Sequence, residues 1–108
     1  MSNDQGQTGE LVKERVVPKN LPKDEEPSLY KVVLINDDYS TMEFVVKVLE
    51  EVFQKSPAEA YRVMMQVHTQ GSATAGIYPW EVAETKVETV TKMAKAEGFP
   101  LRAVTEPA

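Results

Sequence analysis

The sequence predicts an α+β domain with elements in the order β-α-α-β-α-β. Two kinds of signal lead there. Short runs rich in β-branched and aromatic residues alternate with longer stretches whose apolar residues recur at helical spacing. Two of the helical stretches open on hydroxyl-bearing capping sequences, and two close on glycine. From residue 29 to residue 108 these signals describe one compact unit of about 80 residues, a common domain size.

The first run, Leu29–Ile35 (Leu-Tyr-Lys-Val-Val-Leu-Ile), has the length and β-branched content of a strand. Ser40-Thr41-Met42-Glu43 then matches a capping box, in which the Ser40 hydroxyl takes the amide three residues on. Behind it Met42, Val45, Val46, Leu49, Val52 and Phe53 recur at helical spacing, with Lys47, Glu50, Glu51 and Gln54 on the other face. Ser56-Pro57-Ala58-Glu59 is a second capping box, its proline at the first helical position. Ala60, Val63, Met64 and Val67 continue that helix, and Gly71 ends it. Residues 73–78 read as a short strand. Pro79 starts a third helix, whose face runs through Val82 or Ala83, Val87, Val90 and Ala94 before Gly98 closes it. Residues 101–105 read as the last strand.

Residues 1–28 differ in kind. They hold Pro18, Pro22 and Pro27 and ten of the charged residues, with few large apolar side chains. Such a segment buries little and is expected to form a flexible extension, either a passive tail or an arm for a partner. Net charge is −5 and the pI near 4.9, which argues against sequence-independent nucleic-acid binding. With no cysteine in the chain, disulfides and thiolate metal sites are excluded. No apolar run reaches the roughly 18–20 residues of a membrane span, and the first residues lack a signal peptide's apolar core. A cytoplasmic, monomeric protein is expected.

Asn36-Asp37-Asp38 stands out among the polar residues, because a strand end delivers three acceptor-bearing side chains into a short loop. Such a cluster can hold a metal, act as a base, grip a cation, or simply cap turns. Hard cations want about six oxygen ligands, and the spacing is not that of a calcium loop. Acid–base catalysis needs a nucleophile or bound electrophile nearby, and neither a cysteine nor a Gly-rich phosphate loop is present. No metal and no cofactor are expected. Turn capping accounts for one aspartate and does not require all three residues. His68, the one histidine, borders the apolar stripe of the second helix. It reads either as an ordinary packed or surface residue or as a polar wall beside an apolar pocket. Met42, Met64 and Met65 read either as core filler or as adaptable pocket lining.

Three stretches in order resemble one family. The run from Tyr30 to Val45 containing Asn36-Asp37-Asp38-Tyr39-Ser40-Thr41-Met42-Glu43 is similar to the signature opening of ClpS, the bacterial N-end-rule adaptor. Met64-Met65-Gln66-Val67-His68 with Gln70-Gly71, and then Glu81-Val82-Ala83-Glu84-Thr85-Lys86-Val87, are similar to its second and third signatures. Pro100-Leu101 fits as well, and the likeness runs from about Pro27 to the end.

The resemblance implies a binding module rather than an enzyme, on a three-stranded antiparallel sheet with three helices. Such adaptors capture proteins with an N-terminal Leu, Phe, Tyr or Trp and deliver them to the AAA+ unfoldase ClpA, which feeds the ClpP protease. It implies that Asn36, Asp37 and His68 hold the free α-amino group. Ser40, Met42, Val45, Met64, Val67 and Leu101 match the side-chain pocket, with Met42 as a gate against Val and Ile. Asp38 is expected to shape the loop or touch the peptide backbone. Glu81 and Lys86 match contacts to the N-terminal domain of the unfoldase. The extension would then be engaged during handover. Thr41 replaces a frequent proline, Ser40 a common threonine, and Ala75 the cysteine of a frequent Cys-Gly pair, while Trp80 sits beside the expected unfoldase contact. Two other readings stay in view: a regulatory partner of the unfoldase that binds no degron, and a small metal-dependent hydrolase using the Asp pair and His68.

Overall fold

A computed structural model describes residues 28–108, so the expected flexible extension lies, apart from Ser28, outside the described residues. The elements are β1 (Leu29–Ile35), α1 (Met42–Glu51), α2 (Pro57–Gln70), β2 (Ser72–Pro79), α3 (Trp80–Glu97) and β3 (Arg102–Pro107). This is the expected order. The three strands form one antiparallel sheet with β1 in the middle, in the order β2-β1-β3. Period-two alternation sends Val32 and Leu34 of β1, Ala73 and Ala75 of β2, and Ala103 of β3 to the helix-covered face. There they meet Val45, Val48, Leu49, Val63, Val67, Val90 and Ala94 in a single core.

A register shift between Val32 and Val33 bulges β2 and sets Gly76 opposite Val32. A side chain at Gly76 would overlap the Tyr78 ring, so its absence lets that ring lie flat along the strand, near Phe53.

Capping follows the sequence with one correction. Ser56 caps α2, its hydroxyl accepting from the Glu59 amide at 3.2 Å. Gly71 and Gly98 close α2 and α3 in the left-handed region, at φ 91° and 79°, where a Cβ would be strained. At α1, however, the cap is Thr41 and not Ser40: the Thr41 hydroxyl accepts from the Phe44 amide at 3.1 Å. The Ser40 hydroxyl is engaged elsewhere, by Asp37.

The buried face of α1 is also rotated from the expected one. Phe44, Val45, Val48 and Leu49 are buried, whereas Met42 is 47% exposed. The reason is that Phe44, Val45, Val48 and Leu49 fall on one broad helical face, which leaves Met42 outside it. All four belong to the core, and Phe44 also meets Phe99 at its edge, with ring centroids 4.9 Å apart. On α3 it is Ala83 that is buried, and Val82 stays exposed.

Candidate functional site

The end of the central strand gathers the loop and both of its flanks. Ile35 pairs with Ser72 on one side and Arg102 on the other. The next residue, Asn36, donates its amide to the Gly71 carbonyl at 2.9 Å, tying the loop to the end of α2. His68 lies in the last turn of α2, Leu101 immediately precedes β3, and α1 begins at Met42. One sheet end thus collects Asn36, Asp37, Asp38, Ser40, Met42, His68 and Leu101.

Loop geometry is set by the Asp37 carboxylate. Its Oδ1 accepts from the Tyr39 and Ser40 amides, each at 2.7 Å, and its Oδ2 accepts from the Ser40 hydroxyl at 2.7 Å. This is aspartate turn chemistry, in which a side chain takes amides two and three residues on. Partial burial alone would raise the Asp37 pKa. The Ser40 amide and hydroxyl and the Tyr39 amide together outweigh it and hold the carboxyl below its ordinary value of 3.8. Asp37 is therefore a charged group at neutral pH.

An ionised carboxylate has about four acceptor directions. Three are taken, which leaves one on Oδ2. The side chains of Asn36, Asp38 and His68 make no hydrogen bond or ion pair among the described residues, and all three are exposed. They are open to a ligand. Among the described residues, Tyr39 is the most exposed of the large hydrophobic side chains, at 76%.

The apolar positions fall into two groups. Val45, Met64, Val67 and Leu101 are buried members of the core. Ser40 is half-buried and Met42 stands exposed at the rim. No group of three or more His, Asp or Glu side chains able to hold a metal ion occurs among the described residues. No helix there is long and apolar enough to cross a membrane.

Glu81 and Lys86 sit at the other end of the sheet, where β2 passes into α3. Eight residues of β2 separate the two ends, roughly 23 Å at about 3.3 Å per step. Glu81 is exposed in the first turn of α3. Lys86 is more than a surface charge: its Nζ donates to the Val52 carbonyl at 2.6 Å and to Gln54 Oε1 at 3.2 Å, and stands 5.5 Å from the Tyr78 ring centroid. Val52 is the C-cap of α1, whose last turn has no basic residue of its own. Lys86 therefore supplies, from α3, the positive charge that favours a helix C-terminus. Nothing in the local sequence signals this contact, because the partners are 34 and 32 residues apart.

A small α+β domain whose central strand ends in an open polar loop beside apolar helix positions presents hydrogen-bond acceptors to a ligand. Comparison with known proteins is specific. Residues 25–104 match the family model described as ATP-dependent Clp protease adaptor protein ClpS. An ATP-dependent Clp protease adapter protein ClpS from Desulfatibacillum aliphaticivorans is 55% identical over 92 residues, covering 85% of this chain and 88% of the relative. One from Wolinella succinogenes is 57% identical over 81 residues, covering 75% and 79%. Among solved structures, Agrobacterium tumefaciens ClpS2 bound to L-phenylalaninamide matches with a TM-score of 0.74 at 48% identity, over 76% of this chain and 99% of that one. The chain belongs to the ClpS family of ATP-dependent Clp protease adaptors.

Proposed function

We propose that this adaptor binds the free α-amino group and large apolar side chain of an N-terminal Leu, Phe, Tyr or Trp, and delivers such proteins in the cytoplasm to a ClpA-type AAA+ unfoldase for degradation by ClpP. The observation that carries the reading is the Asp37 carboxylate, held by three hydrogen bonds with one acceptor direction left, at the sheet end that also presents Asn36, His68 and Met42. An α-amino group with a pKa of about 7.7–8.0 is mostly ammonium at neutral pH and offers three N–H donors. Asp37 takes one, and Asn36 and His68 take the others directly or through water. The side chain of the first residue inserts among Ser40, Met42, Val45, Met64, Val67 and Leu101. Val45, Met64, Val67 and Leu101 are buried apolar residues that would form the floor, with Met42 exposed at the rim. Asp38 is left for the peptide backbone.

Further support comes from the solved relative, whose ligand, L-phenylalaninamide, has a free α-amino group, a benzyl side chain and an amide where a chain would continue. Energetics favour a two-part reading. Burying a Leu or Phe side chain contributes about 1.5–3 kcal/mol, and each charge-assisted hydrogen bond about 1.5–3 kcal/mol. Association costs several kcal/mol, so neither half alone reaches the roughly −8 kcal/mol of micromolar affinity. The separation of Glu81 and Lys86 from the loop suits an adaptor, since the unfoldase's N-terminal domain and a substrate then do not compete for one surface.

Fluorescence anisotropy with short peptides differing only at residue one tests the reading. Phe, Tyr, Trp and Leu peptides should bind, and Val, Ile and Ala peptides should not. Uniform affinity across the series would remove the basis for it.

A further inference from the structure

We infer that Ser40 is a positioning residue of the amine site: its hydroxyl holds the Asp37 carboxylate so that a single acceptor direction on Oδ2 is presented to the ligand. The inference rests on the proposed amine-binding function. Three observations point to it. First, the Ser40 hydroxyl donates to Asp37 Oδ2 at 2.7 Å, the oxygen that still has capacity. Second, Ser40 is not needed as a helix cap, because Thr41 fills that role. Its hydroxyl is thus free of the duty that the sequence pattern suggested. Third, the other carboxylate oxygen is saturated by two backbone amides, so the side chain has one remaining rotational freedom to lose, and the hydroxyl removes it. A carboxylate fixed before the ligand arrives spares the ordering cost on binding. It also caps the number of bonds Asp37 makes to the ammonium at one, which assigns the other two N–H groups to Asn36 and His68.

Among the described residues, the charged and titratable groups at this end are Asp38 and Tyr39 in the loop, Glu43 in the first turn of α1, His68 in the last turn of α2 and Arg102 at the start of β3. None of these side chains pairs with Asp37. Burial raises its pKa, and the three local hydrogen bonds, two of them from Ser40, together outweigh that and lower it.

The test is made on the full chain with Ser40→Ala, which deletes the hydroxyl, and Ser40→Thr, which keeps it. Two readouts are taken: the Asp37 titration by carbon-detected NMR without ligand, and affinity for an N-terminal Phe peptide by anisotropy. Ser40→Ala should move the Asp37 pKa up and weaken the peptide about tenfold. Ser40→Thr should restore both, to within about twofold in affinity. A purely structural role would move the titration and lower the melting temperature without weakening the peptide. If Ser40→Ala leaves affinity unchanged while Asp37→Ala abolishes it, the positioning role is wrong and the amine-binding reading stands. If neither substitution changes affinity, the amine-binding reading itself is wrong.

Discussion

Replacing Asp37 by asparagine separates the two jobs of the loop. An asparagine oxygen placed where Oδ1 now lies would still accept the Tyr39 and Ser40 amides, both 2.7 Å from that atom. Its NH2 group would then occupy the place of Oδ2, and the Ser40 hydroxyl would turn to accept from it instead of donating. The turn is kept. What disappears is the negative charge and the one open acceptor direction. An incoming ammonium loses a charge-assisted hydrogen bond of about 1.5–3 kcal/mol, which is about tenfold to about 150-fold in affinity. It also meets an N–H donor, so the loss should fall toward the upper end. Asp37→Ala, by contrast, removes all three loop hydrogen bonds and should lower the melting temperature as well. Anisotropy with an N-terminal Phe peptide gives the affinities, and thermal denaturation gives the stabilities. The reasoning is refuted if the Asp37→Asn variant binds within about twofold of the parent, since the carboxylate would then not be an acceptor for the ligand.

Other perturbations read other parts of the account. Met42 is 47% exposed at the rim, so Met42→Ala should admit β-branched first residues, raising affinity for Val and Ile peptides about tenfold or more while Phe changes little. The same peptide series measures it, and unchanged discrimination would take the gate away from Met42. Lys86→Met keeps the aliphatic stem but loses the bonds to the Val52 carbonyl and Gln54, and should cost about 1–2 kcal/mol in urea denaturation, discounted for partial exposure. Peptide affinity should be unaffected, because Lys86 lies at the far end of the sheet. A change in affinity without loss of stability would contradict that separation. Finally, peptide binding should weaken above about pH 8, as the ligand's amine loses its proton. On the acid side the sign is fixed by Asp37, whose folded pKa lies below 3.8. Its stabilising effect is present above the unfolded value and is lost as pH falls through the folded one. An NMR titration of Asp37 placing its pKa above 3.8 would overturn this.

Much of the fold was readable because the relevant signals are local. The β-branched run at β1, the Ser56 cap with Pro57, and the closing glycines at 71 and 98 each depend on a few adjacent residues, and each appears where expected. The start of α1 is less legible. Ser40 and Thr41 are adjacent hydroxyls, and which one caps the helix depends on where Asp37 places its carboxylate, a tertiary detail of the loop. The same detail concealed the Asp37–Ser40 bond, although an aspartate followed three residues later by a serine is a turn pattern that could have suggested it. Phe44 and Val48 lie outside the expected stripe because the buried face of α1 is centred between Val45 and Val48, and apolar residues at 42 and 46 extend the hydrophobic pattern beyond it. Lys86 shows the opposite limit. Its partners are set by the packing of α3 against the α1 C-terminus, across more than thirty residues of chain. The site residues themselves came from resemblance: spacing alone marked Asn36-Asp37-Asp38 as an acceptor cluster and left its job open.

The most direct test compares two peptides of one sequence beginning with Phe, one with a free α-amino group and one N-acetylated. Acetylation leaves the benzyl side chain intact, removes the positive charge and leaves one N–H in place of three. The account predicts measurable binding of the free peptide and none of the acetylated one at the same concentrations. Equal affinity for both would contradict it, because the loop held by Asp37 and Ser40 would then have no part in recognition.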